Sequence, residues 1–123
     1  MAKLPQGAIE LAISQAKKSP MLHQHGAVIW KNNTILGAGY NYHKAPPTTT
    51  ARRYSIHSEK DALNGLRQDQ IYGASMLAIR VRNDGTVSSG APCKGCTKLL
   101  TRKGIKKVYW YDDNDNLNCT YLN

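Results

Sequence analysis

The sequence predicts an α/β domain built on a central mixed sheet of about five strands. Three observations carry this. Apolar residues recur at helical spacing over residues 8–16, and again after His57 and after Cys93. Strand-like apolar runs fall between them at 26–30, 34–39, 76–81 and 106–111. The last joint, Asp112 to Asn116, is polar and only five residues long. A parallel return needs a crossover of about a dozen residues, so residues 117–122 must run antiparallel to the strand before them. At 123 residues the whole chain, 1–123, reads as one domain.

Taken in order, Ala8, Ile9, Ala12, Ile13 and Ala16 make one apolar face of a helix that ends in Lys17-Lys18 before Pro20. His23 and His25 read as surface residues of the following loop, not as metal ligands. The strands 26–30 and 34–39 are joined by Asn32-Asn33, and asparagine tolerates the positive φ of a tight hairpin. Gly39-Tyr40-Asn41 closes the second strand. Tyr42 to Ser55 reads as a long irregular loop with Pro46-Pro47, three threonines and Arg52-Arg53-Tyr54, and loops of this length are usually functional. A helix is expected from about His57 to Arg67 with Ala62, Leu63 and Leu66 inward. The apolar run 76–81 suits a central strand. Pro92 enters a helix opened by Cys93 and Cys96, with Leu99 and Leu100 inward and Gly104 at its end.

A formal net charge of +9 favours phosphate-bearing partners, and single-stranded nucleic acid is a possible one. No apolar run reaches the length of a membrane span and no signal-peptide pattern opens the chain, so a cytoplasmic protein without a membrane partner is expected. Three cysteines, two of them in a C-x-x-C, fit a reducing compartment better than a disulfide framework. Cys119 is expected to be a small core or strand residue. A short domain whose pocket has few walls of its own is expected to work as a homo-oligomer.

The chemistry concentrates in His57-Ser58-Glu59 and Pro92-Cys93-Lys94-Gly95-Cys96. One imidazole and two thiols three positions apart are good zinc ligands, and three protein ligands leave the fourth tetrahedral position open. A purely structural site normally closes its tetrahedron with four Cys or His, and no fourth is evident here. A carboxylate two residues after the histidine can carry the proton that hydrolytic chemistry must move. These segments, Ile56 to Leu63 and Ala91 to Cys96, resemble the two zinc motifs of the cytidine and deoxycytidylate deaminase superfamily. The resemblance runs over about residues 6–111.

That resemblance implies a three-layer α/β/α fold, a Zn2+ cofactor held by His57, Cys93 and Cys96, and Glu59 as the catalytic proton shuttle. It puts the Asn41 side chain on the substrate sugar, although an Asx turn closing the strand would account for the residue equally. Ser58, where the superfamily usually has alanine, and Pro92 flank the ligands and join the expected substrate-binding set. Arg52, Arg53 and Tyr54 join it because their loop runs into His57 and must pass the pocket mouth. The implied reaction is hydrolytic conversion of cytosine to uracil in a small pyrimidine nucleoside or nucleotide: cytidine, deoxycytidine or its monophosphate. Two alternatives stand beside it. One is a polynucleotide deaminase acting on cytosine or adenine, with Lys94, Lys98 and Arg102 as a phosphate track. The other is a catalytically silent nucleic-acid-binding relic.

Overall fold

The computed structural model describes residues 4–44 and 54–122. Its elements are α1 (Ala8–Lys17), β1 (Gln24–Lys31), β2 (Thr34–Tyr40), β3 (Tyr42–Lys44), β4 (Tyr54–Ile56), α2 (Ser58–Leu63), α3 (Gln68–Ile71), β5 (Ser75–Val81), β6 (Val87–Ser88), α4 (Lys94–Lys103), β7 (Lys107–Tyr111) and β8 (Leu117–Tyr121). The main sheet has the order β2-β1-β5-β7-β8, with β6 added beside β5. It is mixed as expected: β5 and β7 are parallel, and the other pairs are antiparallel. Asn32 and Asn33 turn the first hairpin with positive φ, and the short polar link does return β8 antiparallel to β7.

Two cores lie on opposite faces of the sheet. Ala8, Ala12 and Ala16 of α1 pack on Val28, Leu77, Ile79 and Tyr109. On the other face Ala62, Leu63, Ile71 and Leu100, from the three remaining helices, pack on Ala27, Ile29, Met76, Ala78 and Val108. The three-layer architecture follows from this division. Both helix–sheet contacts rely on missing side chains. A Cβ at Gly26 would run into the Ala12 carbonyl of α1, and one at Gly39 would lie 2.7 Å from the Asp61 carbonyl carbon. The second approach matters for function, because it brings α2 and its preceding His57 down onto the end of β2.

Three expectations are corrected. The helix after His57 stops at Leu63, because Asn64 turns extended and Gly65 takes φ +83°; a separate short helix α3 follows. The stretch 42–55 is not irregular at its ends, since β3 and β4 pair as an antiparallel ribbon. Cys119 is a strand residue, as one of the two expectations had it, but it is exposed and belongs to no core. Among the described residues no helix is long and apolar enough to cross a membrane.

Candidate metal centre and catalytic pocket

Each ligand sits where a chain segment turns into a helix. His57 is the N-cap of α2 and Cys93 the N-cap of α4, where the Cys93 sulfur accepts the Cys96 amide at 3.4 Å. The C-x-x-C spacing therefore puts both thiols on the first turn of α4. Two tertiary links fix His57. Tyr42 pairs with Ile56 across the ribbon, tying the residue before His57 to the one after Asn41. The Asp61 carboxylate accepts the Tyr40 amide at 3.1 Å, which anchors α2 to the end of β2.

The donor set fits zinc. The Nδ1 of His57 lies 3.1 Å from the Cys96 sulfur and 3.6 Å from that of Cys93, and the three donor atoms fall within 4.8 Å of one another. Zinc bonds of about 2.0 Å to nitrogen and about 2.3 Å to sulfur set tetrahedral N···S separations of about 3.5 Å. Burial, then the charge of Glu59 and the neighbouring Cys93 thiol, push the Cys96 thiol up. A cation is the partner that offsets those effects and draws off the proton.

Beside the ligands opens a cavity of about 400 Å³, in the range of small-molecule sites. Glu59 lines it and is only 6% exposed. The Ser58 hydroxyl, itself buried, donates to the Glu59 carboxylate at 2.9 Å, so the serine found in place of alanine holds the carboxylate. Asn41 also lines the cavity, and its amide is engaged with the protein. Its Oδ1 accepts the His25 amide at 2.8 Å, while its Nδ2 donates to the His23 carbonyl at 2.7 Å and to the Met21 sulfur at 3.3 Å. Pro92 is half-buried at the entry to α4, and its neighbours Ala91 and Cys93 supply the cavity wall there. Arg52 and Arg53 lie outside the described residues, as does the side chain of Tyr54.

His25 departs from the expected loop, whereas His23 is, as expected, an exposed loop residue, and neither belongs to the donor set. His25 belongs to β1, and both rings line the cavity together with His43. All four histidines of the chain thus converge on one pocket. Burial foremost, then the charges of Arg80, His23 and His57, lower the His25 pKa and favour its neutral form. Their alternate spacing just before an apolar strand was a signal, since residues two apart share a face. His25 stands opposite Arg80 across β1 and β5, and Arg80 in turn reaches the His23 ring.

A family model for the cytidine and deoxycytidylate deaminase zinc-binding region matches residues 3–112. A deoxycytidylate deaminase of Pongo abelii is 25% identical over 120 residues, covering 86% of this chain. The chain spans 54–62% of the length of the curated relatives it matches. A cytidine deaminase structure from Burkholderia pseudomallei aligns over 99% of this chain and 94% of its own, with a TM-score of 0.68 and 19% identity. A dCMP deaminase from the cyanophage S-TIM5, in complex with dCMP and dUMP, aligns over 89% of this chain and 85% of its own, with a TM-score of 0.55 and 21% identity. Both likenesses are likenesses of fold.

Proposed function

We propose, from the premise that the chain belongs to the cytidine and deoxycytidylate deaminase family, that it hydrolyses the exocyclic amine of cytosine in a free nucleoside or nucleotide. The observation that carries this reading is that His57, Cys93 and the buried Glu59 line one small-molecule cavity, with Cys96 grouped behind the two ligands within 4.8 Å. The names of the relatives, deoxycytidylate deaminase and cytidine deaminase, support the substrate class.

His57, Cys93 and Cys96 would hold the metal. Bound zinc supplies a Lewis acid that makes water a nucleophile at neutral pH. The rest falls to the chain. Glu59 takes a proton from the attacking water and passes it to N3 of the ring. Oxygen adds to C4 as that proton reaches N3; Glu59 then takes the second water proton from the new C4 hydroxyl and delivers it to the amino group, so that the carbon–nitrogen bond breaks, ammonia leaves and the C4 carbonyl forms. Ser58 keeps the carboxylate oriented through this exchange, and the apolar wall of Met21, Leu22 and Ala91 limits water around the base. The reducing cytoplasm is the compartment in which both thiols stay available.

The polynucleotide reading keeps one observation in its favour: Lys94, Lys98 and Arg102 are exposed at spacings of four along α4. Ammonia release from cytidine, dCMP and a cytosine-bearing single-stranded oligonucleotide separates the two. We expect turnover of at least one small substrate to exceed that of the oligonucleotide. A strand-only activity that falls steeply with salt would transfer the assignment to the polynucleotide class. Inactivity on all three would support the silent relic.

The working unit is proposed to be a homo-oligomer. The edge strand β8 exposes Leu117 and Tyr121 beside Cys119. Sedimentation should give a multiple of the chain mass at micromolar concentration; a fully active monomer overturns this.

A further inference from the structure

Three of the four histidines in the cavity have no part in metal binding or proton transfer as derived above. We infer that His23, backed by Arg80, and His43 form a subsite for the phosphate of a cytosine nucleotide. This deepens the deaminase reading and rests on it.

The argument starts from hydrogen-bond chemistry. An Arg80 Nη2 donates to His23 Nδ1 at 2.7 Å. A guanidinium has no acceptor, so Nδ1 must accept, and the ring proton rests on Nε2. The remaining N–H of the His23 ring is thereby polarised by a cation behind it. Among the described residues no carboxylate answers that cation, and the buried Nε of Arg80 has no hydrogen-bond partner. An unanswered guanidinium behind a polarised donor is an arrangement that an anion completes.

The backbone under this group is also held. The buried Asn41 amide grips the His23 carbonyl and the His25 amide, so the loop reaches the cavity already in place. The other wall residues agree. Among the described residues Glu59 is the single acidic one lining the cavity, and it is committed to the reaction beside the metal ligands. Apart from Glu59 and the Cys93 thiol, the ionisable side chains lining the wall among the described residues are imidazoles. His25 is partly buried and biased towards its neutral form, whereas His23 and His43 are exposed at the wall and accessible to a solvated phosphate.

The phosphate could belong to a nucleoside monophosphate or to the backbone of a strand. Zinc-loaded Glu59→Gln protein, which binds without turnover, allows calorimetric titration with cytidine, dCMP and a short oligonucleotide bearing one cytosine. We expect dCMP to bind about tenfold or more tightly than cytidine. His23→Ala and His43→Ala should each shrink that ratio, and His23→Gln, which keeps an N–H donor, should retain more of it than alanine. Melting curves confirm that the variants are folded. An oligonucleotide bound more tightly than dCMP, with the same dependence on His23, supports the subsite and identifies its source as a strand. Equal binding of dCMP and cytidine, or a preference untouched by both alanine variants, overturns the subsite while leaving the deaminase reading intact. Zinc-loaded protein that binds none of the three ligands overturns both.

Discussion

Replacing Glu59 by glutamine should lower kcat on the preferred cytosine substrate by about 10²- to 10⁴-fold, the usual range for losing a positioned general acid–base. Glutamine keeps the volume and the hydrogen bond from Ser58, so the buried side chain stays where it is. It cannot take up the water proton. The metal ligands are untouched, so zinc should remain near one per chain in the purified variant, and KM should change much less than kcat. Metal analysis and steady-state kinetics on the same preparation check this. A Glu59→Gln protein that keeps zinc and retains more than about a tenth of the wild-type kcat would show that another group moves the proton.

Cys96→Ala should have the opposite signature. Cys96 is the buried member of the donor set, and its removal leaves His57 and Cys93 as a two-ligand site. Zinc should fall well below one per chain, and deamination should fall with it. Stability should fall too, because a ligand that binds only the folded state stabilises it, by about 4 kcal/mol at a thousand times its dissociation constant. The measurement is thermal melting with and without a strong chelator. Wild-type protein should melt lower after chelation, whereas Cys96→Ala should melt near the chelated wild type and show no further response. A variant that keeps a full complement of zinc, or a wild type indifferent to chelation, would refute this ligand assignment. The contrast between the two substitutions is itself informative. Glu59→Gln separates chemistry from metal and fold, whereas at Cys96 the three are lost together.

The His-Cys-Cys group was legible because metal-binding chemistry imposes short, residue-specific spacing. C-x-x-C places two thiols on one helical turn, and H-x-E places a carboxylate on the turn that follows the imidazole. The strand hairpin at Asn32-Asn33 and the antiparallel return at residues 112–116 were legible for a related reason, since turn chemistry and link length are local. Where local signals competed, the apolar spacing of Ala62, Leu63 and Leu66 overrode Asn64-Gly65, and the helix was expected to run too far. The glycine there adopts a positive φ, so the chain turns and Leu66 packs from outside the helix.

By itself, then, the sequence determined the alternation of helices and strands, the direction of the last strand, and a His-Cys-Cys group able to hold a metal with a carboxylate beside it. Tertiary structure alone decided what surrounds them. His25 meets Arg80 because β1 pairs with β5 in a register that spans more than fifty residues of chain. His43 joins the same cavity because β3 pairs with β4 next to His57. The side-chain amide of Asn41, expected on a sugar, is engaged with the backbone of the loop that carries His23 and His25. Such groupings follow from strand register and from close helix approach over Gly26 and Gly39, which are set by burial of the whole sheet.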